Sequence, residues 1–111
     1  MTAHKPMKFR DRLKAMAACY AATEWVGRRS LARAWAECPR GDWMLWLAAR
    51  VGVERGIYAD AYRVAWAVRN RDGDSAWTSW PDARANRRMA AIVRRRITWR
   101  DVARARRVRG V

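Results

Sequence analysis

Over residues 7–26 the apolar side chains of Phe9, Leu13, Met16, Ala17 and Tyr20 recur at steps of three and four. That spacing stacks side chains on one stripe of an α-helix and does not suit a strand, whose faces alternate every second residue. Gly27 ends the stretch. Ser30 is placed to cap a short second helix over 31–38, which groups Leu31, Ala34 and Trp35 and stops before Pro39. Arg40 and Gly41 read as a turn, and Asp42 as the N-cap of a third helix. Its Trp43, Leu45, Trp46, Leu47 and Val51 are apolar around most of the circumference, as a central helix requires, before Gly52 closes it.

A fourth helix is expected from residue 54 or 57 to 69, with Tyr58, Ala61, Tyr62, Ala65, Trp66 and Val68 as its inner face. Residues 70–81 carry Asp72, Gly73, Asp74 and Ser75, interrupt the rhythm and read as the longest loop. Asp82 is placed to cap a fifth helix reaching about residue 97. Thr98, with Asp101 three positions on, resembles a capping box opening a sixth, with Asp standing where Glu is usual. Residues 1–6 read as a flexible basic arm and 106–111 as a frayed basic tail. Ala is abundant and β-branched residues are scarce, which favours helix over strand. The expected architecture is all-α, a compact single domain over 1–111 with five to six short helices. A chain of 111 residues buries only ~60–70% of the surface it exposes when unfolded. Its eight Trp, three Tyr and five Met therefore matter as packing material, and Trp25, Trp35, Trp46, Trp66 and Trp99 all fall on expected inner faces.

The formal charge is +15, from 25 Lys and Arg against 10 Asp and Glu. A small domain needs a net charge of only about 2–8 for solubility, so the excess points to an anionic partner. Of the 25 cations 22 are Arg, whose planar fork grips phosphate or carboxylate and stacks on flat rings. The fifth helix concentrates them. At about 100° per residue, Arg84, Arg87, Arg88, Arg94 and Arg95 fall within about a third of the circumference, with Ala85, Met89, Ile92 and Val93 roughly opposite. Arg96 falls on the apolar side and must snorkel to the helix edge or pair with a buried acid. Arg100, Arg104, Arg106, Arg107 and Arg109 extend the basic region, opposed within 82–111 only by Asp82 and Asp101.

Arg84, Arg87, Arg88, Arg94, Arg95, Arg100 and Arg104 are thus the candidate partner-binding residues. Trp77 and Trp80 join them, because they sit in the long loop between Arg69, Arg71, Arg84 and Arg87. Such rings could stack on the bases of a single strand, anchor a protein partner, or fold back to cover the core. A helix-turn-helix is a further alternative, since Leu47, Ala48, Val51, Gly52 and Val53 match the first helix and turn of that motif. The second half fits it poorly, with Tyr58 where a small apolar residue belongs and Gly56, Ala59 and Asp60 at base-reading positions.

Nothing in the residues supplies catalysis. His4 is the one histidine, the carboxylates are scattered, and no glycine-rich phosphate loop is present. Cys19 and Cys38 lack metal-site spacing and read as small buried core residues. No metal, cofactor or small-molecule substrate is implied. With no apolar run of ~18 residues and no apolar stretch after the basic N-terminus, neither a membrane span nor a secretory signal is expected, and the expected location is the cytoplasm.

The segment 19–47 contains Cys19, Trp25, Leu31, Ala34, Trp35, Cys38, Arg40, Asp42, Trp43, Trp46 and Leu47, and its centre reads LARAWAECPRGDWMLWL. It resembles a group of small helical proteins of phages and mobile elements, some labelled immunity proteins. The later MAAIVRRRITWRDV is similar to that group's closing segment. This chain departs from the group in lacking a long Ala-rich middle and in carrying far more Arg. The resemblance implies a mobile-element origin and a role as a stoichiometric inhibitor, of the immunity or anti-CRISPR kind, or as a regulator. The expected partner is an acidic protein or nucleoprotein complex, with direct binding of DNA or RNA as the alternative.

Overall fold

The computed structural model describes residues 8–72 and 83–109. The arm 1–6, Trp77, Trp80, the proposed cap Asp82 and the end of the basic tail lie outside them. Among the described residues there are seven helices and no strand: α1 (Phe9–Ala15), α2 (Tyr20–Val26), α3 (Leu31–Glu37), α4 (Gly41–Val51), α5 (Arg55–Asp72), α6 (Ala83–Arg96) and α7 (Trp99–Arg109). The all-α expectation holds. The helix count rises because the single stripe expected over 7–26 is two helices, α1 and α2.

The break between them is a Schellman turn. Ala17 takes a left-handed φ of 62°, and the N–H groups of Ala17 and Ala18 bond the carbonyls of Lys14 and Leu13 at 3.0 Å each. That position usually holds Gly, so an Ala-rich sequence does not announce it. The turn folds α2 back on α1, where Arg10 meets Glu24 at 2.8 Å. Phe9, Leu13 and Met16 stay buried, while Ala17 and Tyr20 are released to the surface.

Local side-chain chemistry sets most of the other ends. The Ser30 Oγ accepts the Arg33 N–H at 3.2 Å and starts α3. Glu54 starts α5 by accepting the N–H groups of Gly56 and Ile57 at 2.9 Å each. Thr98 and Asp101 form the expected reciprocal box at α7, with bonds of 2.8 and 3.2 Å. Gly52, at φ 83° and ψ 43°, closes α4. Asp42 does not cap α4 as expected. The helix begins two residues earlier, at Gly41 with Arg40 in the N-cap position, and the Asp42 carboxylate instead takes the Arg40 guanidinium at 2.7 and 3.1 Å. Helix α5 runs past residue 69 to Asp72, and α7 continues through Arg109, into the stretch expected to fray.

Helix α4 is central, burying Met44, Leu47, Ala48 and Val51 along a three-four strip together with Leu45. Helix α6 packs across α4 and α5, and α7 packs on α3 and α4. The closest crossing is at Gly41, where an added Cβ would lie 2.5 Å from Met89 Cγ and 2.8 Å from the Ala90 nitrogen. Trp35 is the tryptophan at the heart of the core, 4% exposed, with its indole N–H donating to the Ile97 carbonyl at 2.8 Å. Two other expected core tryptophans are not buried. Trp46 lies off the buried strip of α4 and is 39% exposed, and Trp99, at the first position of α7, is 42% exposed. Trp25 and Trp66 are half-buried. Cys38 is buried, but Cys19, just ahead of α2, is exposed, and both thiols are free.

Candidate functional site

Helix α6 separates its faces much as the periodicity requires: Ala85, Met89, Ala90 and Val93 are buried and Ile92 is half-buried. Arg84, Arg87, Arg88 and Arg95 are exposed on the outer side, and Arg100 and Arg104 are exposed on α7. Arg87, Arg95, Arg100 and Arg104 make no ion pair among the described residues. Arg100 lies near the Trp99 ring, 5.6 Å from its centroid.

Arg94 does not belong to that outer face. It lies at the edge of the ridge nearest α3, is half-buried, and donates to the carbonyls of Cys38 at 2.8 Å and Trp35 at 3.0 Å. Those are carbonyls at the C-terminal end of α3, which no further helical turn can satisfy. Together with the indole bond from Trp35 to Ile97, Arg94 clamps α3 onto the α6–α7 corner. Arg96 resolves as a surface pair. It reaches Asp60 on α5, an acid also held by Arg63 at 3.1 Å and only partly shielded from water. Arg96 first, then Arg63, holds the Asp60 carboxyl below its usual range.

Among the described residues most acids already have partners, and one of them, Asp60, pairs with an arginine of α6 itself. Glu24 pairs with Arg10, Glu37 with Arg29 and Arg33, Asp42 with Arg40, and Asp60 with Arg63 and Arg96. Glu54 and Asp101 are spent on helix starts. Arg106 is half-buried, and burial, followed by Arg12 and Arg107, lowers its proton affinity, so positive groups crowd one another where α1 meets α7.

Two further features escaped the sequence reading. Helices α1 to α4 enclose an apolar cavity of about 280 Å³, open on one side, with Phe9, Leu13 and Trp35 in its walls and Trp25, Trp43 and Trp46 also lining it. On α5, Tyr58, Tyr62 and Trp66 form a ladder with ring centroids 5.9 and 6.0 Å apart, and Tyr62 is 47% exposed. The expected inner face of α5 holds at Ala61 and Ala65, which are buried, and in part at Tyr58 and Trp66, which pack half-buried against the core; Tyr62 departs from it.

Among the described residues no group of His, Cys, Asp or Glu could hold a metal ion, and no helix is long and apolar enough to cross a membrane. Comparison with protein-family models, with curated proteins and with solved structures finds no match to this chain.

Proposed function

We propose that this chain is a non-enzymatic binding protein that docks its α6–α7 arginine face on an acidic protein or nucleoprotein complex. It acts there as a stoichiometric inhibitor of the anti-defence kind, anti-CRISPR-like or immunity-like, in the cytoplasm. The observation that carries the reading is the exposure of Arg87, Arg95, Arg100 and Arg104, none of which makes an ion pair among the described residues. Uncompensated charge of one sign costs self-repulsion in the free protein and is relieved when a surface of opposite sign docks, which also speeds the encounter. The resemblance of residues 19–47 to mobile-element proteins supports the inhibitory role.

The test is affinity capture from nuclease-treated host lysate, comparing the wild type with a variant carrying Arg87→Glu, Arg95→Glu, Arg100→Glu and Arg104→Glu. A defined complex should be retained by the wild type and lost by the variant, with helix content unchanged in both. Capture of nothing, or equal capture by the two, defeats the proposal.

The α5 ladder favours a second reading, direct binding of single-stranded nucleic acid. Tyr58, Tyr62 and Trp66 share a strip with exposed Arg55, and stacking is worth ~1–3 kcal/mol per base. A 20-mer of thymidylate should quench the tyrosine and tryptophan fluorescence, with a log–log salt slope of about −0.7 per phosphate contact. Absence of quenching at low salt removes this reading. Its helix-turn-helix form gains nothing from α5, because Asp60, at a base-reading position, is held by Arg63 and Arg96.

A further inference from the structure

We infer that the cavity between α1 and α4 is the docking groove for one helix of an acidic protein partner, which seats a bulky apolar side chain among the tryptophans and sets its carboxylates against the surrounding cations. The inference deepens the reading above, on which it rests for the acidic character of the partner, and it locates the specific contact away from the α6–α7 face.

At about 280 Å³ the cavity is nearly twice the ~150 Å³ apolar cavity that admits a benzene ring. It has room for one or two large apolar side chains. The surrounding residues are of the kinds that dominate protein interfaces, Trp and Arg at the centre of well-packed contacts. Trp25 and Trp43 lie as a tilted pair with centroids 6.4 Å apart. The Arg29 guanidinium sits 4.4 Å from the Trp25 ring, and that of Arg40 sits 4.5 Å from the Trp43 ring. Each guanidinium is also held by a carboxylate, Arg29 by Glu37 and Arg40 by Asp42. The edge of the groove is therefore preorganised, and little side-chain freedom remains to be lost on docking.

Trp46 lines the cavity yet leaves 39% of its surface exposed. A small molecule inside the cavity would leave that exposed part uncovered, whereas a helix lying along the groove covers it and presents anchors three and four residues apart. Charge selects the sign of the partner. The one charged residue that lines the cavity, Asp42, is neutralised by Arg40. Of the nine Lys and Arg against four acids in residues 8–51, Arg10, Arg29, Arg33 and Arg40 are in ion pairs, which leaves Lys8, Arg12, Lys14, Arg28 and Arg50 with no ion pair among the described residues. A basic helix would be repelled.

The probe is a synthetic 16-residue helical peptide with Leu at positions spaced three and four apart and Glu at most others, paired with a version carrying Lys for Glu. Tryptophan fluorescence should shift saturably at one peptide per chain with the Glu peptide and not with the Lys peptide. Trp46→Ala, at a half-exposed position, and Ala22→Trp, which plugs the cavity from its wall, should each weaken the Glu peptide at least tenfold. Circular dichroism confirms that both variants remain folded. No saturable shift, equal binding of the two peptides, or Glu-peptide binding untouched by both variants overturns the inference. The two ideas fail separately: host-complex capture lost in the α6–α7 Arg→Glu variant but kept in Trp46→Ala spares only the earlier reading, and the reverse pattern spares only the groove.

Discussion

Gly41 and Met89 meet where α4 crosses α6, so closely that a Cβ on Gly41 would lie 2.5 Å from Met89 Cγ and 2.7 Å from the Met89 carbonyl carbon. Side-chain movement could relieve the first contact, but the second is with backbone and can be relieved only by separating the helices. Gly41→Ala gains up to about 1 kcal/mol of helix propensity, yet overpacking of a tight core costs about 1–3 kcal/mol and here sits at the upper end. The expected net effect is destabilisation by about 1–2 kcal/mol, read as a lower urea midpoint at unchanged slope. An unchanged or raised midpoint would mean that the two helices stand further apart.

Neighbouring arginines on α6 differ in kind, and substitution separates them. Arg94 satisfies the carbonyls of Trp35 and Cys38 in a half-buried setting, and hydrogen bonds from a charged donor are worth about 1.5–3 kcal/mol. Arg87 is exposed and makes no ion pair among the described residues, so its loss stays within about 0.5 kcal/mol. Thermal melts of Arg94→Ala and Arg87→Ala should therefore show a clear drop for the first and almost none for the second. Equal melting temperatures would refute the clamp on α3.

Ala17 holds a left-handed φ of 62°, which costs an L-residue about 1–2 kcal/mol. Ala17→Gly relieves that strain and forfeits part of the gain to the more flexible unfolded chain, leaving a stabilisation of about 0.5–1 kcal/mol. Gly52 at φ 83° is the reverse case, and Gly52→Ala should destabilise by a similar amount. Paired denaturation curves with opposite signs are expected. Two shifts of the same sign would contradict the turn geometry at one of these positions.

What was legible in the chain and what was not divides along the reach of the interactions. Ser30, Gly52 and the Thr98–Asp101 box act within three or four residues, and their roles could be read directly. The α1–α2 break could not, because Ala17 does there what Gly usually does and the apolar rhythm runs on through it. Helical angles alone grouped Arg94 with its outward neighbours; only the arrival of α3, some 56 residues away in sequence, gives it carbonyls to bond. Trp46 departs from its expected inner position for a related reason. Helix α4 carries more apolar surface than its neighbours cover, and the uncovered part borders the groove, which exists only once four helices have met.

The same distinction between local and assembled environments separates the two cysteines. Cys38 is buried, its Sγ lies 3.4 Å from the Arg40 carbonyl as a weak donor, and burial pushes its thiol pKa up, so little reactive thiolate forms near neutrality. Cys19 is exposed ahead of α2. An aromatic disulfide reagent should release one equivalent of thiolate quickly from the native protein and a second only on unfolding, with Cys19→Ser abolishing the fast phase.

Acid should weaken the fold, and the sign follows from which form of each carboxyl the native state binds. Glu37 is held below its usual range by Arg33 and then Arg29, Asp60 by Arg96 and then Arg63, and Glu54 by the backbone N–H groups of Gly56 and Ile57. A depressed folded-state pKa means that the stabilisation is fully present above the unfolded value of about 4 and is lost as the pH falls through the folded value. Protonation also removes negative charge from a chain already at +15, so repulsion adds in the same direction. The melting temperature should be flat from about pH 5 to 8 and fall steeply below about pH 4, with added salt recovering part of the loss. Asp60→Asn, which cannot ionise, should lower the melting temperature at pH 7 and shrink the acid-induced drop. A melting temperature that rises on acidification would show that the carboxylates do not hold α3, α5 and α6 through their arginine and backbone partners.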